Sequence, residues 1–317
     1  MEQRALGQSG LSIVPLVFGG NVFGWTLDES ASFRMLDAVV ESGLNAIDTA
    51  DCYSLWVDGN QGGESETIIG HWLRENPAKR DKVQLFTKVG WDLGNGKKGL
   101  SAKWIEQAIE DSLRRLNTDY IDLYQSHCPD DNTPHEETLR AYEKLIKAGK
   151  VRAIGASNYN VSQLRSALKV SDELGLPRYA TLQPEYNLYD RSNYDGPLRD
   201  LAREEGLGVI TYFSLASGFL SGKYRSPEDL GKSARGGSIG KYLDDRGKAI
   251  LSALDQVAEE QKATPAEVAL SWLIHRPGVT APIASATNDK QLASLVNAVN
   301  LTLKDEQIAL LTQTSAT

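Results

Sequence analysis

The chain has 317 residues, of which 41% are hydrophobic and 24% are charged, and its formal net charge is −8. This composition is typical of a globular protein, and the acidic balance argues against a nucleic-acid partner, which requires a basic face. No apolar run is long enough to span a membrane. Because the first residues lack the apolar segment of a signal peptide and the chain has only two cysteines, we expect a cytoplasmic protein.

Short β-rich runs alternate with amphipathic helical patterns along the chain. The eight strand candidates, most of them about thirty residues apart, are Val14–Phe18, Leu44–Ile47, Val83–Phe86, Ile121–Tyr124, Val151–Gly155, Ala180–Gln183, Val209–Tyr212 and Ala281–Ser285. Strict alternation of strand and helix favours a parallel sheet, and eight such units favour closure into a (β/α)8 TIM barrel. Since no linker or repeat interrupts the pattern, residues 1–317 are predicted to form a single barrel domain.

Several helices are predicted from their periodicity or from their first residues. Helical periodicity covers Glu29–Ser42, Glu64–Glu75 and Ser101–Leu116. Capping signals, in which a small polar residue is followed three positions later by an acid or amide, begin at Thr133, Thr264 and Asn288. At the first two, a proline occupies the first helical position, which also favours a helix start.

Two segments depart from the simple alternation. Arg4–Leu6 and Leu11–Ile13, around Gln8-Ser9-Gly10, are typical of a β-hairpin, and we expect it to plug the bottom of the barrel. Between the seventh and eighth barrel strands lies a long loop rich in glycine, serine and charge, Ser214–Gly247. Loops of this length in a compact domain are usually functional.

Four polar residues, Asp48, Tyr53, Lys88 and His127, lie at or just past the ends of predicted strands. Taken singly, each has an ordinary interpretation as a turn, core, surface or loop residue. Barrel enzymes place their chemistry at the carboxyl ends of the strands, where these four side chains are predicted to converge. Their shared position therefore favours a catalytic site.

The four residue types together can orient and protonate a carbonyl while a separate donor adds a hydride to its carbon. A free tyrosine, with a pKa of about 10, is a poor proton donor near neutrality. We expect Lys88 to lower the pKa of Tyr53, and Asp48 to hold Lys88 in place and keep it protonated. His127 is expected to donate a hydrogen bond that orients the carbonyl.

The chain resembles the aldo-keto reductase superfamily in segments that follow the family's order along nearly the whole sequence. These segments are Asp48-Thr49-Ala50 with Tyr53, Gly63–Glu66, Thr87-Lys88, Gln125–His127, Gly149–Asn158, Gln183–Asn187 and Gly218–Tyr224. The sub-type is similar to the bacterial members related to potassium-channel β-subunits. The resemblance implies an NADP(H)-dependent reductase of aldehydes or ketones, with Tyr53 as general acid and a small carbonyl compound as substrate.

The resemblance also implies which residues bind the cofactor. It assigns Ser157, Asn158 and Gln183 to the nicotinamide carboxamide and Tyr212 to stacking on the ring. It assigns the pyrophosphate to the loop at Ser214, Leu215, Ser217 and Gly218, with Lys223 and Arg235 as cationic partners. It places Ser285, Thr287 and Gln291 near the adenosine, and it includes Gly20 and Asn21 among the other cofactor contacts.

Three departures from the family pattern bear on the cofactor and the substrate. Phe213-Ser214-Leu215 stands where related sequences usually have Ser-Pro-Leu. The segment after the eighth strand lacks the basic residue that often binds the 2′-phosphate, so a preference for NADP over NAD rests on Lys223 and Arg235. Cys128 occupies a pocket position that is often Trp or Arg, which indicates a differently shaped substrate site.

Other readings of the same residues remain open. Lys88 is also the type of residue that forms a Schiff base in a class I aldolase, and a non-catalytic nicotinamide-sensing subunit is a further alternative. The four histidines show no metal-ligand spacing, so no metal is expected. Cys52 and Cys128 flank the candidate site either as pocket-wall residues or as an oxidation-sensitive switch. Neither the physiological substrate nor the oligomeric state follows from the sequence.

Overall fold

The computed structural model describes residues 1–316. An antiparallel hairpin of β1 (Arg4–Ala5) and β2 (Ser12–Ile13) precedes a closed barrel of parallel strands. The barrel strands, in chain order, are β3 (Val17–Gly19), β4 (Ala46–Asp48), β5 (Gln84–Val89), β6 (Ile121–Ser126), β7 (Val151–Ser157), β8 (Thr181–Gln183), β9 (Gly208–Thr211) and β10 (Ala281–Ala284). Because β10 pairs with both β9 and β3, the sheet closes, which confirms the predicted (β/α)8 barrel with its N-terminal hairpin.

Helices surround the barrel. They are α1 (Glu29–Glu41), α2 (Glu64–Glu75), α3 (Ala102–Leu116), α4 (His135–Lys147), α5 (Val161–Leu174), α6 (Pro197–Glu204), α7 (Asp245–Gln261), α8 (Pro265–His275), α9 (Asp289–Asn300) and α10 (Asp305–Thr314). Within residues 1–316, none of the helices combines the length and the apolar character needed to cross a membrane.

A predicted capping residue caps its helix when no other side chain offers it a hydrogen bond. At α8, the Thr264 hydroxyl accepts from the Glu267 amide, and the Glu267 carboxylate accepts from the Thr264 amide, as predicted. At α9, the Asn288 side chain accepts from the Gln291 amide. The prediction for Thr133 was wrong, because its hydroxyl donates to Asp130 Oδ2 at 2.7 Å and α4 begins without a side-chain cap.

The hairpin closes the bottom of the barrel. Leu6 and Ile13 are fully buried in one cluster with the inward-facing residues Phe86 and Leu123. Gly7 has a left-handed φ of +54°, and a Cβ at this position would lie 2.2 Å from the backbone nitrogen of Gly208. The hairpin backbone therefore packs directly against the start of β9, as the sequence predicted.

The long connection between β9 and β10 is more ordered than the sequence indicated. It contains short 3-10 turns, at Ala216–Ser221, Pro227–Lys232, Gly236–Ser238 and Gly240–Tyr242. Two helices, α7 and α8, then precede β10, and α7 also packs against α10. The loop therefore lies over the carboxyl end of β9 and is anchored by a helix on the barrel wall.

Candidate functional site

Asp48, Tyr53 and Lys88 meet in one hydrogen-bonded group. Lys88 Nζ donates to Asp48 Oδ2 at 2.6 Å, to Tyr53 Oη at 2.8 Å and to the carbonyl of Thr49 at 2.9 Å. Asp48 ends β4 and Tyr53 lies in the turn that follows, whereas Lys88 lies within β5 rather than past its end. The apolar run that predicted this strand, Val83–Phe86, ends before β5 does, because Thr87 and Lys88, near the mouth of the barrel, are polar.

Two buried amides hold the Asp48 carboxylate from the other side. Gln125 Nε2 and Gln183 Nε2 donate to Asp48 Oδ1 at 3.1 Å and 3.0 Å. Gln183 Nε2 also donates to Gln125 Oε1 at 2.8 Å. The amide nitrogen of Gln183, which the resemblance assigned to the cofactor, is thus engaged with Asp48. Gln125 had no predicted role, although its position two residues before His127 on β6 places it on the same face as the site.

Burial and charge act against each other on Lys88 and Tyr53. Burial lowers the pKa of Lys88, but its contacts with Asp48 and Tyr53 outweigh that effect, so the pKa lies above the ordinary lysine value. Burial raises the pKa of Tyr53, Lys88 opposes the rise, and Asp48 adds to it. The pKa of Tyr53 is therefore above that of free tyrosine, and the expectation of a net decrease was wrong.

His127 follows β6 and lies beside the tyrosine. The rings of His127 and Tyr53 pack edge to face with centroids 6.3 Å apart, and the ring of Trp91 lies 5.1 Å from the imidazole. His127 Nδ1 lies 3.6 Å from Cys52 Sγ. Burial and then the charge of Lys88 hold the pKa of His127 well below its usual value. The imidazole is consequently neutral near pH 7, and a neutral ring still has one N–H to donate.

Aromatic side chains form the wall of the mouth. The rings of Trp25 and Trp56 pack edge to face at 5.5 Å, and Trp56 packs in the same way on Tyr53 at 6.0 Å. Trp56 and Trp91 are about half exposed. The guanidinium of Arg235 lies 5.1 Å from the centre of the Trp25 ring. The wall can therefore contact a flat or apolar ligand beside Tyr53.

Several predicted cofactor residues lie next to His127. Asn158 Nδ2 donates to the carbonyl of His127 at 3.0 Å, and Tyr212 Oη donates to Asn158 Oδ1 at 2.6 Å. Ser157 Oγ donates to the carbonyl of Gln183 at 2.9 Å. Asn158 has a left-handed φ of 61°, a conformation that clusters at functional sites. The predicted nicotinamide residues are thus brought together.

The backbone after β9 has the form of an anion cradle. Phe213, Ala216, Ser217 and Gly218 all have positive φ, and tight turns of this kind are a usual form of anion-binding backbone. Within the turn, the amides of Ala216 and Gly218 donate to the carbonyls of Phe213 and Leu215 at 2.7 Å and 2.9 Å. A Cβ at Gly218 would lie 3.7 Å from Lys223 Nζ, so an ammonium borders this backbone. The Ser214 hydroxyl donates inward to the Thr211 carbonyl, so Lys223 is the side chain of this segment that is best placed to meet an anionic ligand. These features fit a pyrophosphate.

The residues predicted to lie near the adenosine, Ser285, Thr287 and Gln291, make two separate sets of hydrogen bonds. Ser285 Oγ lies 2.7 Å from Asn21 Oδ1 and donates to the carbonyl of Gly19, next to Gly20. Gln291 Oε1 accepts from the amide and the hydroxyl of Thr287 at the start of α9. The first contact joins the ends of β3 and β10 at the mouth of the barrel.

Sequence reasoning missed Asp51. It is only 2% exposed, and neither carboxylate oxygen accepts a well-formed hydrogen bond among the described residues. Burial and the neighbouring Glu66 raise its pKa well above the usual value, although Arg115 and Lys88 oppose the rise. Asp51, Cys52 and His127 place their ligand atoms within 4.8 Å of one another. The spacing of residues along the chain cannot reveal this cluster, because Asp51 and Cys52 follow β4, whereas His127 follows β6.

A closed parallel barrel with titratable residues at its carboxyl-terminal mouth is an enzyme architecture. Residues 15–316 match the sequence profile described as the Aldo/keto reductase family. The chain belongs to the aldo/keto reductase family, whose members include oxidoreductases, and this confirms the resemblance found in the sequence.

Similar proteins include one described as an uncharacterized oxidoreductase, YrpG of Bacillus subtilis (strain 168), which is 34% identical over 98% of this chain and 95% of its own length. A probable voltage-gated potassium channel subunit beta of Arabidopsis thaliana is 33% identical, over 95% of this chain and 92% of its own length. L-glyceraldehyde 3-phosphate reductase of Escherichia coli O157:H7 is 31% identical, over 99% and 92% respectively. The similarity therefore extends over nearly the whole barrel in each case.

Proposed function

We propose that this protein is an NADPH-dependent reductase that converts aldehydes or ketones to alcohols, with Tyr53 as general acid. The observation that carries the proposal is the 2.8 Å contact between Tyr53 Oη and Lys88 Nζ, with Lys88 in turn bound to Asp48. A partly buried phenol beside a fixed ammonium can give up its proton only when a base is presented to it. A carbonyl oxygen that gains negative charge is such a base.

The proposed reaction divides between cofactor and protein. Bound NADPH supplies the hydride. Tyr53 donates its proton to the carbonyl oxygen as negative charge develops there, and the ammonium of Lys88 stabilises the phenolate that remains. Asp48, held by Gln125 and Gln183, keeps Lys88 charged and in place. The neutral His127 ring donates a hydrogen bond that orients the carbonyl.

The cofactor residues are proposed from the same geometry. Ser157, Asn158 and Tyr212 lie beside His127, where the nicotinamide must meet the substrate. The cradle at Phe213–Gly218 with Lys223 suits the pyrophosphate. Arg235, together with Lys223, is the proposed basis for preferring NADPH to NADH. The contact of Ser285 with Asn21 and the contact of Thr287 with Gln291 are proposed to border the adenosine.

Replacing Tyr53 with phenylalanine tests the proposal. We expect Tyr53→Phe to lower kcat for carbonyl reduction by about 10²-fold or more, because the general acid is removed while the ring remains. NADPH oxidation is followed by absorbance with a panel of small aldehydes and ketones, and cofactor binding is measured separately. Tyr120→Phe is the matched control, since Tyr120 packs between Arg80 and Arg152 away from the catalytic group. A Tyr53→Phe enzyme as active as wild type contradicts the mechanism.

The Schiff-base alternative is disfavoured. A nucleophilic lysine must be neutral, whereas Lys88 makes three hydrogen bonds as an ammonium and its pKa is raised. We therefore expect borohydride to trap no carbonyl adduct on Lys88. A non-catalytic nicotinamide-binding subunit remains the second candidate, because one relative is described as a probable channel subunit. Tight NADPH binding without turnover of any carbonyl tested would favour that candidate.

A further inference from the structure

The turn before Tyr53 contains a second cluster of potential ligand atoms. A carboxylate oxygen of Asp51, the sulfur of Cys52 and a ring nitrogen of His127 all lie within 4.8 Å of one another. Asp51 and Cys52 are buried, and His127 is partly buried. Carboxylate, thiolate and imidazole are together the ligand types of protein zinc sites.

The spacing of Cys52 and His127 already suits a tetrahedral cation. Cys52 Sγ and His127 Nδ1 are 3.6 Å apart. A zinc ion bonds sulfur at about 2.3 Å and nitrogen at about 2.0 Å, so a tetrahedral angle separates the two ligand atoms by about 3.6 Å. The two ligands therefore need little movement to share one ion.

Asp51 provides independent evidence for a ligand at this place. It is 2% exposed, and neither carboxylate oxygen accepts a well-formed hydrogen bond among residues 1–316, although the backbone amide of Cys52 interacts with the carboxyl. Nearly all buried polar side-chain atoms in proteins have a partner, and each exception requires an explanation. A bound cation would satisfy the carboxylate that the surrounding protein does not.

The surrounding charges also favour a cation. The two nearest basic groups are each paired with a carboxylate at 2.6 Å, Lys88 with Asp48 and Arg115 with Glu66. Neither basic group is therefore available to pair with Asp51, and a divalent cation would supply the positive charge that stabilises its ionised form. Of the three residues, Asp51 alone lines the cavity of about 520 Å³ beside α3.

We propose that Asp51, Cys52 and His127 bind one divalent transition-metal cation, with Zn²⁺ as the preferred ion. Sulfur and imidazole ligands favour zinc over the hard cations Mg²⁺ and Ca²⁺. On binding, the Asp51 carboxyl and the Cys52 thiol each release a proton to solvent, a carboxylate oxygen and the sulfur each form a bond to the cation, and no electron is transferred. Three protein ligands leave a fourth position for water. The site shares His127 with the proposed reductase site but does not depend on carbonyl reduction.

Cobalt(II) provides a direct test, because a thiolate bound to Co²⁺ produces a charge-transfer absorption band. The full-length protein is titrated with Co²⁺ in the absence of NADPH and of any carbonyl compound. We expect one equivalent to produce the band and Zn²⁺ to abolish it by displacement. Absence of the band in the wild-type protein overturns the proposal. Because no turnover is measured, this result is independent of the test on Tyr53.

Variants identify the ligands. We expect Cys52→Ser to lose the band and Cys128→Ser, the matched control, to keep it. Asp51→Asn, which preserves shape, is expected to weaken Zn²⁺ binding roughly tenfold or more in competition with a chromophoric chelator. Thermal unfolding of each variant establishes that it is folded. A band that persists in Cys52→Ser, or equal Zn²⁺ affinity of Asp51→Asn and wild type, overturns the proposed ligand set.

Discussion

At the scale of single residues, burial determines the protonation state of the candidate catalytic groups. It raises the pKa of Tyr53 and lowers the pKa of His127, so each group is held in its neutral form. Lys88 remains charged, because Asp48 and Tyr53 outweigh the effect of burial. The site therefore combines a neutral acid, a neutral hydrogen-bond donor and one fixed positive charge, which is the combination that the proposed reaction requires.

These shifts predict a flat pH profile for carbonyl reduction. The raised pKa of Tyr53 keeps its proton in place above pH 10, and the lowered pKa of His127 keeps the ring neutral well below pH 6.5. We therefore expect kcat to be nearly constant between about pH 6 and pH 9. The measurement is NADPH oxidation at saturating substrate across this range. A change in kcat with a midpoint near pH 7 would contradict the assignment of Tyr53 and His127 as groups that stay neutral across this range.

The two cysteines differ from redox-sensing thiols. Burial raises the pKa of the Cys52 thiol, and it also raises the pKa of Cys128. A reactive cysteine requires a stabilised thiolate in an electropositive, partly exposed place. The oxidation-sensitive switch is therefore disfavoured for both residues. The pocket-wall role fits Cys128, whereas the metal site proposed above gives Cys52 a different role.

At the scale of elements, similar capping motifs had different outcomes. Thr264 caps α8, whereas Thr133 does not cap α4, although both precede a proline and lie three residues before a glutamate. The difference lies in Asp130, whose carboxylate accepts the Thr133 hydroxyl and thereby offers it an alternative partner. Short polar side chains readily make such local bonds in place of capping bonds.

The hairpin is expected to contribute strongly to stability, although β1 and β2 are very short. Leu6 is fully buried against the barrel floor, and we expect Leu6→Ala to lower the free energy of unfolding by about 2–5 kcal/mol. Denaturant unfolding measures the change. Leu174→Ala is the control, because Leu174 is 44% exposed and its truncation leaves no cavity in the core. Equal effects of the two substitutions would show that the hairpin is not a structural plug.

At the scale of the whole molecule, the barrel brings to one mouth the residues proposed to bind the cofactor, which lie at or just past the ends of β3, β7, β9 and β10. We expect NADPH at a hundred times its dissociation constant to raise the free energy of unfolding by about 2.7 kcal/mol, because the unfolded chain has no such site. Thermal unfolding with and without NADPH measures this, with NADH as a comparison. We expect Lys223→Ala to reduce the stabilisation by NADPH. We expect Lys169→Ala, which replaces an exposed side chain on α5, to leave it unchanged. Lack of a shift with either nucleotide would contradict the cofactor proposal.

The sequence by itself determined the strands and their order, five of the ten helix starts among residues 1–316, the hairpin and the residue types of the candidate site. These features are readable because periodicity, capping and strand ends are local, involving residues only a few positions apart. Only the tertiary structure decided which side chains form hydrogen bonds with one another and which could bind the same ligand. Gln183 reaches Asp48 across 135 positions, and Cys52 reaches His127 across 75. Such contacts, and the burial that reverses the expected pKa shift of Tyr53, exist only once all eight strands have closed the barrel.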